Sequence, residues 1–317
     1  MNMKKSSRRS FIKNVGLATS AMPLINFIPA KKAMQRQELS IHIFSKHLQF
    51  LDYQSTGEMA AEMGFSGVDL TVRPGGHVEP KDVDAKLKLA LDAIRKAGSS
   101  CKMITTRIDS AHNPIDVNLL TKASQAGIKF YRLNWYKYQD NLTMPLSLIK
   151  YQNEIKDLSS LNKKLDLIGC YQNHAGQSIG ASYWEIHKLL ETADKEYFGV
   201  QYDIRHALVE GGLSWKNGLK LLYPNIKTIV LKDFKWGKVN GAWRPINTPI
   251  GEGMVDFMSY FKMLKEYNLN PPVSLHLEYD LGGAEKGNTE INVAPGLVYD
   301  AMKKDLKSIR ELWKAVG

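Results

Sequence analysis

Carboxylates, histidines and a lysine at the ends of short apolar runs are where this sequence could do chemistry. Asp203 closes the run Gly199–Asp203, Lys232 closes Lys227–Lys232, and Glu278 lies near the end of Val273–Tyr279. A lone carboxylate in such a setting is costly. Asp203 and Glu278 are therefore expected to pair with Lys232 or Arg205, or to act on a ligand, and the second role is favoured. The apolar surroundings of Glu278 predict a raised pKa and a general base. Burial lowers a lysine's pKa, so Lys232 could serve as a Schiff-base amine, a general acid or a charge partner for Asp203.

Five of the eight histidines, His47, His77, His174, His206 and His276, fall at the same kind of position. His276 precedes Glu278 by two residues and shares its strand face. His206 is expected to help move protons, and His174 and His276 to hold substrate. Arg73 and His77 flank Gly75 and Gly76, a turn suited to gripping a polar or anionic group. Trp236, like Trp135, Tyr136 and Trp184, offers an aromatic face to the C–H face of a sugar ring. Gln172 ends the run before Asp203 with a neutral amide. Cys101 and Cys170 are the only cysteines. They exclude a disulfide framework and read as buried packing residues.

These residues need a scaffold that gathers strand ends. The β-like runs are Leu39–Phe44, Gly67–Val72, Cys101–Thr106, Lys129–Asn134, Leu165–Tyr171 and the three above. Eight helical stretches follow them in turn: Gly57–Met63, Val83–Lys96, Asp116–Gln125, Pro145–Leu161, Tyr183–Lys195, Ser214–Leu222, Val255–Tyr267 and Leu297–Ala315. Eight alternations over one uninterrupted stretch predict a (β/α)8 TIM barrel spanning residues 34–317 as a single domain. An open doubly wound sheet would show a glycine-rich turn after its first strand. Here that strand runs into Phe44-Ser45-Lys46-His47.

The formal charge of +11 belongs largely to the first 33 residues, which carry seven cations and no carboxylate. The remainder holds 36 basic against 32 acidic side chains, net +4, with no dense basic run. That argues against a nucleic-acid partner. No run of about 18 apolar residues exists, so stable membrane association is not expected. Ser7-Arg8-Arg9-Ser10-Phe11-Ile12-Lys13 ahead of an apolar stretch resembles a twin-arginine export signal. Residues 1–33 are expected to be that signal, and the mature protein to be periplasmic or otherwise exported.

The strand ends resemble the xylose-isomerase-like superfamily of sugar isomerases and epimerases along nearly the whole mature chain. The resemblance rests on Asp203 with His206 after the sixth strand, Lys232-Asp233 on the seventh, Glu278 on the eighth and Gly251-Glu252-Gly253 before the seventh helix. It implies proton abstraction beside a carbonyl of a sugar or keto-sugar, with isomerase, epimerase, lyase or hydratase outcomes. It also implies a divalent metal, manganese or magnesium, bound here by Asp203 and Glu278 with a neutral oxygen from Gln172, and no Schiff base. Two family positions differ: Gln172 stands for a Glu or His, and Val230 for a His. The expected metal is therefore labile or absent, with Lys232 supplying the positive charge. The alternative is a non-catalytic sugar-binding barrel whose metal site has degenerated.

Overall fold

The computed structural model describes residues 38–317. The export signal expected at residues 1–33 lies outside the described residues. Eight parallel strands close into a barrel. In chain order they are β1 (Ile41–Phe44), β2 (Gly67–Thr71), β3 (Ser100–Thr105), β4 (Phe130–Arg132), β5 (Ile168–Gln172), β6 (Phe198–Asp203), β7 (Ile226–Leu231) and β10 (Val273–Leu275). β10 completes the ring by pairing with β1 at Ile41↔Val273. This is the (β/α)8 barrel that the alternation of runs predicts.

The helices form because their apolar residues repeat at three and four and their ends are capped. In α2 (Val83–Lys96), Leu87, Ala90, Leu91 and Ile94 are buried along one stripe. Each large aliphatic side chain of that stripe contributes roughly 1.5–3 kcal/mol on leaving water. Asp52 caps α1 (Tyr53–Glu62) by accepting from Ser55 N at 2.7 Å. Thr143 and Pro145 start α4 (Met144–Leu165), and Asp166 ends it in the left-handed region at φ 53°. The other helices are α3 (Pro114–Gln125), α5 (Tyr183–Leu189), α6 (Ile204–Gly211), α7 (Trp215–Leu222), α8 (Phe257–Glu266) and α9 (Pro295–Ala315). Cys101 and Cys170 are free and buried, and burial pushes both thiols up to about 12. Among the described residues no helix is long and apolar enough to cross a membrane.

Two elements go beyond the predicted pattern. α6 begins directly after β6 because Asp203 caps it, Oδ1 accepting from His206 N at 3.1 Å. After β7, an antiparallel hairpin of β8 (Asp233–Val239) and β9 (Ala242–Thr248) turns at Asn240-Gly241. Both turn residues have positive φ, 50° and 80°, as a two-residue hairpin turn demands. The last barrel strand is shorter than predicted. Its ladder stops at Leu275, so Glu278 sits on the loop at the open end and not within the sheet.

Candidate active site

The C-terminal strand ends gather a continuous polar chain. Gln172 ends β5, its Nε2 donating to Asp203 Oδ2 at 2.8 Å and its Oε1 accepting from Arg132 Nη1 at 3.0 Å. Asp203, fully buried at the end of β6, is held in place by Asn173, which donates to its carbonyl and accepts from its amide. Lys232, one residue past β7, places Nζ 3.1 Å from Asp203 Oδ2, 2.8 Å from His206 Nε2 and 3.7 Å from Glu278 Oε1. Glu278 also lies 3.7 Å from Lys46 Nζ and 3.6 Å from His276 Nδ1. His276 Nε2 meets Ser274 Oγ at 3.1 Å, and that hydroxyl donates to Asp69 Oδ2 at 2.6 Å. Thr105 bonds both oxygens of Asp69 at 3.1 Å.

The electrostatics of this chain differ from the expectation for Glu278. Burial works against its ionisation. Lys232 first, then His276 and Lys46, outweigh it and hold the carboxyl well below the usual range. The raised pKa predicted from its apolar neighbours in sequence is therefore corrected: the cations that matter come from the ends of β1 and β7. Glu278 is also the most open of these groups, its side chain 29% accessible against 15% for Lys46, 4% for Lys232 and 0% for Asp203. Burial, with Lys232, His174 and Arg205 adding to it, holds the His206 ring neutral. A neutral ring accepts at one nitrogen only. With Nε2 facing Lys232, Arg205 has Asn247 Oδ1, at 3.0 Å, as its own acceptor.

The other sequence-predicted residues divide. His174 joins the centre, its ring 3.9 Å from that of His206 and 4.4 Å from that of Trp135. His276 lies flat on Phe44 at 4.2 Å, and the Arg73 guanidinium sits 5.4 Å from the centre of the same Phe44 ring. His77 stands apart. Its Nδ1 is 3.1 Å from Ser45 Oγ and its Nε2 3.4 Å from Thr56 Oγ1, and burial drives it down to about 4. Trp236 lies on the exposed hairpin, 41% accessible, edge-on to Phe234. Asp233, the partner of Lys232 in sequence, serves the backbone. It accepts from the amides of Phe234, Gly251, Gly253 and Val255. A Cβ at Gly253 would fall 2.2 Å from Asp233 Oδ1, which explains the glycine there.

Asp69, Arg132 and Lys46 belong to the site without having been singled out in the sequence. A charged residue inside an apolar run was the available signal for Asp69 and Arg132. Burial, then Arg73, pushes Arg132 down to about 9.

The residues do not fit a hard divalent cation. Such an ion needs several free oxygens in a near-octahedral shell. Asp203 Oδ2 already faces an amide donor and an ammonium. Gln172 turns its oxygen to Arg132, and buried Val230 shares the face of Lys232 where a ligand would stand. Among the described residues no three His, Cys, Asp or Glu side chains form a metal-holding group.

The chain belongs to the xylose isomerase-like TIM barrel family, which it matches over residues 57–294. No curated protein matches the sequence. Among solved structures it is similar to a probable 3-DHS dehydratase from Bacillus anthracis, with 14% identity, 85% of this chain and 98% of that chain covered, and a TM-score of 0.63. A D-allulose 3-epimerase from Methylomonas sp. gives 14%, 87%, 98% and 0.63 in the same order. A xylose isomerase-like protein from Mycobacterium smegmatis in complex with magnesium gives 10%, 88%, 98% and 0.63. At these identities the likeness is one of fold.

Proposed function

We propose that the chain is an enzyme that abstracts a proton beside the carbonyl of a sugar or keto-sugar, with no metal ion in the step. The observation that carries this reading is the placement of the Lys232 ammonium between Asp203 and Glu278 at the open end of the barrel. Only Glu278 of the two carboxylates is open to a ligand. Its oxygen takes the proton from the carbon next to the carbonyl, and the electron pair moves toward the carbonyl oxygen. Lys232 donates a proton to that oxygen, with Asp203 holding the ammonium in place and His206 positioned against it. As Lys232 turns to the substrate, its hold on Glu278 loosens and the carboxylate becomes a stronger base. The amine then accepts a proton from the neighbouring hydroxyl while Glu278 returns its own to carbon. The carbonyl has moved by one position.

One accessible carboxylate suits chemistry on a single face: isomerisation, or the related loss or addition of water. Epimerisation with two bases on opposite faces would need a second carboxylate, where Gln172 stands. Five cationic groups, Lys46, Arg73, Arg132, Arg205 and Lys232, surround three carboxylates here. A further double positive charge would meet net repulsion.

The test is hydrogen–deuterium exchange of ketohexoses in D2O, followed by NMR. Exchange at the carbon beside the carbonyl is expected with wild type, unchanged after chelation. It should fall by about 10²–10⁴ in Glu278→Gln, the span of general acid–base catalysis. Exchange that survives within about tenfold, or that chelation abolishes, overturns the reading.

A further inference from the structure

Beside the centre lies a cavity of about 600 Å3 that the proposed proton transfer leaves unused. This is within the roughly 300–1,000 Å3 of small-ligand sites. The loops after β3, β4 and β5 and the first half of α4 wall it. Trp135 is the shared partition. Its ring packs 4.4 Å from the Arg132 guanidinium and 4.4 Å from His174, both in the central chain, and it also lines the cavity. Arg107, another lining residue, is close enough to lower Arg132 and Arg73 by its charge. The cavity thus lies against Arg132 and His174 of the central chain, with Trp135 between.

Its lining specifies the ligand class. Tyr136 and Tyr151 stack at 4.1 Å and 14°, giving with Trp135 an aromatic wall. Asp109 and Glu154 offer acceptors, and Arg107 donors. Glu154 is already fixed by Ser110 Oγ at 3.0 Å, and Tyr136 by the Asp109 carbonyl at 2.9 Å. A fatty chain would not call for two carboxylates. Lys137 and Lys150 line it as well, so with Arg107 the wall carries both signs of charge and is not built for one anion. A neutral polyol matches both the mixed donors and acceptors and the flat apolar faces.

We infer that this cavity holds a second sugar ring, so that the enzyme acts on one unit of a glycoside and grips the other here. This rests on the central reading above, and the experiment separates the two. Calorimetric titration of the full-length protein uses D-fructose and its glycosylated forms turanose, lactulose and isomaltulose. These carry the second ring on O3, O4 and O6. At least one disaccharide is expected to bind about tenfold or more tightly than fructose. Tyr151→Ala should bring it back to the affinity of fructose, with fructose itself unchanged. Lys150→Trp, an exposed position on α4 that lines the cavity, should do the same by filling it without threatening the fold. Disaccharides that bind no better than fructose, or a preference that survives both variants, overturn the inference. Fructose affinity that is unchanged in Lys232→Met overturns the central reading alone, and failure of all four sugars to bind overturns both.

Discussion

His47 and His77, after β1 and in the loop after β2, and His206 and His276, after β6 and β10, occupy comparable strand ends with different partners. His47 accepts from Leu277 N at 3.0 Å through Nε2, and its Nδ1 reaches the Ala284 carbonyl at 3.3 Å. His77 is held by Ser45, Thr71 and Thr56. Both rings join loops to strands. His206 and His276 instead face Lys232 and Glu278. All four are driven neutral, with burial as the largest cause. Neutrality therefore does not distinguish them. What separates a structural histidine from a chemical one here is whether its neighbour is a closed hydrogen-bond pair or a charge that a ligand can reach.

The sharpest way to break this contrast is to remove the charge. Lys232→Met strands the fully buried Asp203 carboxylate, so the fold should lose about 3–5 kcal/mol, as when one partner of a buried ion pair is deleted. Exchange activity should vanish with it. Adding Asp203→Asn should restore most of the stability and none of the activity. Urea unfolding of the two variants checks this. A single variant as stable as wild type would show that the ammonium does not hold Asp203.

On the quiet side, His77→Ala should cost roughly 1–3 kcal/mol, the range for leaving buried polar partners unpaired. Catalysis, measured well below the melting temperature, should keep its KM and kcat. A tenfold rise in KM without loss of stability would move His77 into the substrate site and dissolve the comparison.

The sequence made the barrel legible because each strand run is bounded by turn residues and each helix carries its stripe. The hairpin was signalled too, by Asn240-Gly241 between Trp236 and Trp243, although it interrupts the βα alternation. α6 was hidden because Asp203 serves both as a strand end and as a helix cap. Asp203, Lys232 and Glu278 stood out as charges on apolar runs. Their electrostatics did not. Lys46 lies 232 positions from Glu278 in the chain and within 3.7 Å in the fold, and no local window joins them. Arg132 was obscured for a related reason: β4 has only three residues, and the aromatic pair Trp135-Tyr136 follows it closely.

The same contrast extends to carboxylates, with the smallest expected effect. Asp305 on α9 is 1% exposed and sits behind the loop that carries Gly251. It accepts from Ile250 N and from the hydroxyl of Tyr279, the residue after Glu278, each at 3.1 Å. Lys304, the cation beside it, pairs with Glu252. Burial therefore prevails over the two hydrogen bonds, and the carboxyl is pushed up to about 7. Glu278, with three neighbours to offset its burial, goes the other way. For Asp305 the unfolded chain gives up its proton near pH 4 and the folded chain near pH 7. Across that window the folded state binds more protons, so this group's contribution to stability falls as pH rises and is fully lost above about 7. An asparagine at this position would keep the acceptor and carry no charge, so Asp305→Asn should flatten the decline in melting temperature between about pH 4 and 7. Glu278→Gln should leave that slope alone, because Glu278 stays ionised throughout. A decline of equal steepness in wild type and Asp305→Asn would mean that the carboxyl behind the loop titrates like an ordinary surface group.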